Sequence, residues 1–170
     1  MIRTRRVRPE DADALAALVQ RNREFLKPWE PQRDEAHYTV AGQRAGIDAA
    51  LEQYERGLMV PQVILDDVDI VGRVFLTGIA YGAARSCDIT YWVSGEANGR
   101  GIATDAVGQL RQYAFDVMGL HRVQAASLVH NVASQKVLER NGFRRFGLAP
   151  SYLHIAGRWQ DHVLFQALAP

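Results

Sequence analysis

The first third of the chain carries apolar residues mainly at helical spacing. Residues 2–8 have the composition of a strand, and Pro9 is a favourable first residue for the helix that follows. The apolar residues of that helix recur every three or four positions, and they are Leu15, Leu18, Val19 and Phe25. Pro28 and Pro31 end the segment because two prolines three residues apart cannot continue a helix. A second helix is predicted from about Val40 to Arg56.

Beyond residue 58 the pattern changes to the alternation that is typical of strands. Three successive strands are predicted over residues 59–65, 69–79 and 87–93. Apolar residues at helical spacing then run from Ile102 to Val117, and Gly119 ends that helix. The remaining predicted elements are a strand at 121–129, a short helix at 132–140 and two strands at 143–149 and 158–168.

The order of these elements predicts the fold class. It is β-α-α-β-β-β-α-β-α-β-β, with a strand–helix–strand crossover over residues 87–128. Such a crossover implies that its two strands lie parallel, whereas hairpins make most of the other strands antiparallel. The sequence therefore predicts a mixed α/β (α+β) fold of one domain, residues 1–170, and not a doubly wound nucleotide-binding fold.

Composition and charge exclude several classes of protein. Apolar residues make up 48% of the chain and charged residues 23%, as in ordinary soluble proteins. The net charge of +1 provides no field for nucleic acid or a membrane surface, so neither is expected as a partner. No apolar run approaches the ~18 residues of a membrane span, and no signal core is present at the N-terminus. Cys87 is the only cysteine, which excludes an internal disulfide and favours a cytoplasmic location.

The segment Asn98-Gly99-Arg100-Gly101 joins a predicted strand to a predicted helix. Free N–H groups and a dipole equivalent to roughly half a positive charge make such a helix entrance suitable for an anion. A P-loop is excluded because no Gly-Lys-Ser/Thr follows, and a Rossmann fingerprint is excluded because Thr104 replaces the third glycine. On spacing alone, an anion site and an ordinary strand-to-helix turn fit equally well.

A family resemblance favours the anion site. Asn98–Ala103 is similar to the Gln/Arg-x-x-Gly-x-Gly/Ala signature of the GNAT N-acetyltransferases, in which this loop holds the pyrophosphate of acetyl-CoA. Five longer blocks of this sequence resemble the ribosomal-protein-alanine N-acetyltransferase branch of that family, and they follow in the order expected for it. The blocks are FLKPWEP, ITYWVSGEANGRGIATDAV, YAFDVMGLHRVQA, HNVASQKVLERNGF and IAGRWQDHVLFQAL. The resemblance is weakest over residues 36–60. It implies the GNAT fold, a twisted and mostly antiparallel mixed sheet with a splayed parallel strand pair, flanked by about four helices.

The resemblance also implies acetyl-CoA as co-substrate and no metal. The loop residues that it assigns to cofactor binding are Asn98, Gly99, Arg100, Gly101, Ile102, Ala103 and Thr104. Asn98 stands where Gln or Arg is usual, so a side-chain contact at this position is left open. The backbone of Val93 and the side chain of Asn131 are the implied partners of the pantetheine arm.

Ser134 is the implied general acid, which protonates the leaving CoA thiolate. From the residues alone, Asn131 is a good helix N-cap and Ser134 is unremarkable at the third helical position. The Asn-x-x-Ser spacing inside HNVASQKVLERNGF matches the family and favours the catalytic interpretation. Many GNAT enzymes use a tyrosine as the acid, but Leu138 occupies that place here.

Direct attack on the thioester requires a neutral amine. A protein α-amino group with a pKa of about 7.7–8.0 is ~10–20% neutral at pH 7, against ~0.04% for a lysine side chain. Asp88 is the candidate base, acting through water, because related enzymes carry Glu at this place; a structural ion pair is an equal alternative. Glu30 is a second candidate base, and with Trp29 it is expected to line the acceptor pocket.

The other reactive side chains are interpreted as structural. Cys87 has no base at a useful spacing, so a buried strand residue is favoured over a covalent nucleophile. His130 is interpreted as structural or substrate-contacting. Asp161 and His162 are neighbours on a strand and point to opposite faces, which prevents a catalytic dyad.

The leading hypothesis is an acetyl-CoA-dependent N-acetyltransferase that acts on a primary amine, with the N-terminal alanine of a ribosomal-type protein as the favoured acceptor. The alternatives are the acetylation of a small amine, such as an antibiotic or amino acid, and a non-catalytic acyl-CoA-binding module. Loss of function on removal of Ser134 and Asp88 would distinguish catalysis from binding. The sequence leaves the oligomeric state open, with a homodimer among the alternatives.

Overall fold

Seven strands form one sheet in the computed structural model, which describes residues 1–170. The strands are β1 (Ile2–Arg6), β2 (Val60–Asp66), β3 (Asp69–Ala80), β4 (Ser86–Val93), β5 (Arg122–Leu128), β6 (Arg144–Ile155) and β7 (Arg158–Leu168). The helices are α1 (Ala12–Arg21), α2 (Arg23–Leu26), α3 (Val40–Glu55), α4 (Ile102–Asp116) and α5 (Val132–Arg140). The order across the sheet is β1-β2-β3-β4-β5-β7-β6.

The predicted parallel strand pair is present and short. β4 and β5 pair over three residues each, from Ser86 with Arg122 to Asp88 with Gln124. All other neighbouring strands are antiparallel. Beyond Asp88 the two strands no longer pair, which leaves a wedge open between them. The mixed, mostly antiparallel sheet predicted from the order of elements is confirmed.

Helices cover both faces of the sheet. α4 packs on one face through residues at helical spacing: Ile102, Ala106, Val107, Leu110 and Ala114. On the other face, Leu15 of α1 and Ile47 of α3 pack against Val63 of β2. Ile64, the next residue of β2, belongs to the core on the α4 side, as expected where side chains alternate along a strand. None of the helices is long and apolar enough to cross a membrane.

The first predicted helix is interrupted, which gives five helices where about four were expected. A 3-10 turn at Pro9–Asp11 precedes α1, and Asn22 separates α1 from α2. The buried Asn22 side chain donates from Nδ2 to Leu18 O, and its Oδ1 accepts from Ser94 Oγ and Gly95 N–H. These contacts compete with helix continuation and tie the break to the segment after β4.

The strand predicted over residues 143–149 is longer in the structure, where β6 extends to Ile155. Pro150 lies within it and lacks the N–H that a central strand needs. β6 lies at the edge of the sheet, and its register shifts between Ala149 and Leu153, so the proline is accommodated. The extension carries the end of β6 to the cavity beside the wedge.

Candidate active site

The wedge between β4 and β5 exposes backbone groups that the sheet does not use. Ser94 N–H donates to Val71 O at 2.8 Å. Since alternate residues of a strand bond to the same neighbour, the backbone groups of Trp92, Thr90 and Asp88 also face β3. The backbone groups of Ile89, Tyr91 and Val93 therefore face the wedge, where β5 no longer pairs with β4. An extended ligand could bind to them in the manner of an added strand.

A cavity of about 570 Å³ lies beside the wedge, within the usual size range of small-molecule sites. Five predicted site residues line it, namely Trp29, Glu30, Asp88, Asn131 and Ser134. Val93 and the glycine loop do not line it. The structure thus gathers the predicted catalytic and acceptor residues in one space and places the predicted pyrophosphate loop at a separate end.

Ser134 is held at the start of α5 by two neighbours. Its N–H donates to Asn131 Oδ1 at 3.1 Å, so Asn131 is the N-cap of the helix. Its Oγ lies 2.8 Å from the hydroxyl of Tyr91, which also contacts Ser134 O at 3.2 Å. Burial raises the pKa of Tyr91 to about 12, so this phenol stays protonated at neutral pH. The two hydroxyls form a hydrogen-bonded pair at the cavity wall.

Asp88 lies opposite Thr77 of β3, at the point where β4 and β5 separate. No ion pair in the structure includes Asp88, so the structural ion pair considered from the sequence is absent. Desolvation by the surrounding protein raises the pKa of this carboxyl. Gly78 has a φ of +56°, and a Cβ there would lie 2.8 Å from Asp88 Oδ2. Glycine thus leaves the room that the carboxylate occupies.

Trp29 and Glu30, which follow α2, line one side of the cavity. Burial raises the pKa of Glu30, and its Oε2 lies 3.6 Å from Arg33 Nε. The Trp29 ring lies 5.5 Å from the ring of His130, measured between centroids. The carbonyl of Glu30 accepts from Ala156 N–H at 3.0 Å, which ties this loop to the β6–β7 hairpin.

The glycine loop has the backbone geometry of an anion cradle. Gly99 and Gly101 have φ angles of +76° and +78°, which L side chains rarely adopt, and Gly101 is the N-cap of α4. No atom lies within 4 Å of a Cβ built on either glycine, so the space above the loop is open. Asp105 N–H is bonded to Gly101 O, and the N–H groups before it have no acceptor inside the helix.

The Arg100 side chain already has a partner within the protein. Its guanidinium forms an exposed ion pair with Asp66 at 2.8 Å, at the end of β2. The backbone of the loop is therefore the better-placed part of the predicted pyrophosphate site, and a direct contact from Arg100 stays a prediction.

The remaining reactive side chains lie in structural positions. Cys87 is buried in the main core, and burial raises the pKa of its thiol to about 12, which removes its nucleophilic form. Asp161 Oδ1 accepts from Ser151 N–H at 2.8 Å, whereas the buried His162 lines the cavity. No cluster of three or more His, Cys, Asp or Glu side chains can hold a metal ion.

Sequence reasoning missed Tyr91 and Arg73 among the residues that line the cavity. The sequence carried a signal for part of the lining only: residues two apart on a strand share a face, so the choice of Asp88 indicates that Thr90 and Trp92 also face the cavity. Tyr91 points to the opposite face, and Arg73 lies on a different strand. Only the β3–β4 register and the packing of α5 bring them to the site.

Comparison with known proteins identifies the family. The model of the acetyltransferase (GNAT) domain matches residues 2–144. The ribosomal protein uS5-alanine N-acetyltransferase of Escherichia coli is 33% identical over 98% of this chain and 87% of its own.

Two solved structures share the architecture. The ribosomal-protein-S5-alanine acetyltransferase of Vibrio fischeri has a TM-score of 0.93 and 32% identity, covering 98% of this chain and 92% of its own. RimJ of Mycobacterium smegmatis, solved in complex with CoA-disulfide, has a TM-score of 0.96 and 33% identity, covering 99% of this chain and 82% of its own. The chain belongs to the GNAT family, and it is an N-acetyltransferase close to the ribosomal-protein-alanine acetyltransferases.

Proposed function

We propose that this enzyme transfers acetyl from acetyl-CoA directly to the N-terminal alanine of a protein of the ribosomal type. The observation that carries the proposal is the opening of the sheet at the wedge. Tyr91 points to the α4 side of β4 and contacts Ser134, whereas Asp88 points to the other side, and one cavity joins all three. A thioester held from one face can thus meet an amine that enters from the other.

The residues present fit acetyl-CoA. The open, N–H-rich loop around Gly99 and Gly101 suits a pyrophosphate, and the free backbone groups of Val93 suit the pantetheine arm. Asn131 uses its Oδ1 in capping α5, which leaves its amide N–H₂ for the arm. Acetyl-CoA would supply the acetyl thioester. The complex of Mycobacterium smegmatis RimJ with CoA-disulfide supports this assignment.

Ser134 is the proton donor to the departing thiolate. Its Oγ is 2.8 Å from the Tyr91 hydroxyl; with the tyrosine as the donor of this bond, the serine proton is free for the thiolate and the tyrosine can return a proton to Oγ. The overall balance needs no further acid, because the amine loses one proton as the amide forms and the thiolate gains one. Positioned acid groups of this kind contribute roughly 10²–10⁴-fold to a rate.

Asp88 accepts the proton that the amine loses, through a water molecule. The carboxylate is free of ion pairs, and its raised pKa makes it a stronger base than an ordinary aspartate. A weak base is enough for an N-terminal amine, since about 10–20% of it is already neutral at pH 7. Glu30, half-buried beside Arg33, is the alternative base on the acceptor side.

The test is turnover of acetyl-CoA, followed as thiol release, with a panel of acceptors. The panel contains Ala- and Ser-starting peptides, free lysine, polyamines and aminoglycosides, and mass spectrometry locates the acetyl group. Turnover on the α-amine of Ala-starting peptides is expected. Turnover confined to a small amine would overturn the protein acceptor, and CoA binding without any turnover would favour the binding-module alternative.

Ser134→Ala tests the assigned acid in the same assay. We expect kcat to fall about 10²–10⁴-fold while the affinity for CoA is nearly unchanged. Ser86→Ala is the matched control, because Ser86 lies at the start of β4 and outside the cavity lining. Equal activity of the two variants would remove Ser134 from the mechanism.

A further inference from the structure

Arg73 is a cation at the cavity wall without an anionic partner. It lines the cavity beside β4, and no ion pair in the structure includes it. Its Nε is buried and has no hydrogen-bond partner. Burial lowers the pKa of Arg73 to about 10, yet the guanidinium remains charged at neutral pH. An unpaired charge in such a position costs stability unless a ligand pairs with it.

The neighbouring carboxylates are occupied elsewhere. Both oxygens of Asp11 accept from Arg5 at 2.8 Å, and Asp11 also accepts from Arg8 N–H. Glu30 lies beside Arg33. After burial, which is the largest cause, Asp11 raises the pKa of Arg73 and Arg33 lowers it; both arginines also lower the pKa of His37, whose largest shift comes from burial. The cavity lining holds two arginines, Arg33 and Arg73, and two carboxylates, Glu30 and Asp88. Glu30 pairs with Arg33 and Asp88 forms no ion pair, so the Arg73 guanidinium is the cation left for an acceptor carboxylate.

The β3–β4 register gives the distance from Arg73 to the chemistry. On β3, Arg73 lies two residues before Phe75 and pairs with Trp92 of β4. Thr77, two residues after Phe75, pairs with Asp88. The guanidinium carbon sits 4.5 Å from the centroid of the Phe75 ring, so the side chain leans toward the Asp88 end. The distance along the strand from Phe75 to the position of Asp88 is two residues, or roughly 7 Å.

We infer that Arg73 binds a carboxylate of the acceptor, and that the preferred acceptor is a peptide with an acidic side chain at position 2 or 3. An extended peptide advances roughly 3.3–3.6 Å per residue, so an amine near Asp88 places the second or third side chain near the guanidinium. A guanidinium binds a carboxylate through two parallel N–H donors, and low solvent exposure strengthens the pair. This inference rests on the proposed function, because it assumes a peptide amine at Asp88.

The test compares amidated peptides that differ in charge only, Ala-Glu and Ala-Gln at the start of one sequence, with a second pair that carries the change at position 3. For the wild-type enzyme we expect kcat/KM to be roughly 10- to 100-fold higher for the acidic peptide, mostly through KM. In Arg73→Gln that ratio should fall to near one. Arg56→Gln is the matched control, since Arg56 is exposed at the end of α3 and its loss changes the net charge equally.

Two further arms make the outcome decisive. Arg73→Glu should reverse the preference toward an Ala-Lys peptide, which a variant that merely misfolds cannot do. Comparison of kcat/KM for the dipeptide Ala-Ala with a free and with an amidated C-terminus tests whether the α-carboxylate is the recognised group. An Arg73-dependent preference for the free dipeptide alone would assign the same site to a small acceptor.

An acidic preference that persists in Arg73→Gln, or no preference in the wild-type enzyme, would overturn the inference while leaving N-terminal acetylation in place. No acetylation of any Ala-starting peptide would instead overturn the proposed function.

Discussion

The predicted pyrophosphate loop and the proposed acceptor cavity would form the two ends of one site, and the chain builds them differently. The loop is a single run, residues 98–104, whose backbone conformation is set by glycines at positive φ. The cavity takes its side chains from all five strands β3 to β7, from α1, α2, α3 and α5, and from the segment between α2 and α3. A backbone site depends on local conformation and survives substitution around it, whereas a side-chain site changes with each register and packing contact. The acceptor end is therefore the part in which related enzymes can differ.

Asp88→Asn should have the largest effect at the acceptor end. Removal of the base is expected to lower kcat/KM about 100-fold at neutral pH with little change in CoA affinity. In the unmodified enzyme, kcat/KM should fall as the pH drops through the pKa of Asp88, which lies above the ordinary value. The variant should keep only the decline caused by protonation of the acceptor α-amine, a slope of about one in log kcat/KM against pH, whereas the unmodified enzyme should steepen to about two below the pKa of Asp88. Steady-state kinetics between pH 5 and 8 check both statements.

The thermal stability of Asp88→Asn distinguishes a base from a structural carboxylate. Because the folded-state pKa is raised, the ionised form opposes folding above the unfolded pKa, and its removal should leave Tm at pH 7 unchanged or slightly higher. Asp116→Asn, at the exposed end of α4, is the control. A marked drop in Tm for Asp88→Asn would indicate a structural role.

Gly101→Ala should act on the cofactor end alone. A φ of +78° strains any L residue, and the added Cβ points into open space, where a pyrophosphate would approach. We expect the KM for acetyl-CoA to rise at least 10-fold with the acceptor KM unchanged. Gly46→Ala is the control, because Gly46 lies inside α3 with open space around it. There the alanine should stabilise the helix and leave the KM for acetyl-CoA unchanged. Equal acetyl-CoA KM values for both variants would contradict a backbone cradle.

Tyr91→Phe should have a smaller effect than the loss of Ser134 itself. It removes the hydroxyl 2.8 Å from Ser134 Oγ but leaves the serine in place, so kcat should fall about 10-fold. Combined with Ser134→Ala, the substitution should cost nothing further, because the two hydroxyls act as one unit. Single-turnover rates of the two single variants and the double variant test this coupling. Additive losses would show that Tyr91 acts independently.

Arg100→Gln should have the smallest effect. Its guanidinium is exposed and paired with Asp66, so its loss should change the free energy of unfolding by less than about 1 kcal/mol. The KM for acetyl-CoA should rise only a few-fold, more at low salt than at high salt. Titration of CoA at two ionic strengths measures this. A loss as large as that of Gly101→Ala would transfer the main anion contact from the backbone to the side chain.

Much of the fold could be predicted from the sequence because its signals are local. The apolar spacing from Ile102 to Val117 indicates α4, and the crossover length requires β4 and β5 to be parallel. The break at Asn22 could not be predicted, since it depends on Ser94 and Gly95, more than seventy residues away. The extension of β6 through Pro150 likewise depends on the place of that strand at the sheet edge.

The candidate site divides along the same line. The sequence by itself determined the glycine loop and the cap of α5, because each is a property of a short continuous segment. It also determined the family, because the family's blocks follow one another in order along the chain. Only the tertiary structure decided that Tyr91 meets Ser134 and that Arg73 reaches the cavity without a counter-ion. Those contacts depend on strand register and on the wedge between β4 and β5. A one-residue change in register would turn each side chain to the opposite face.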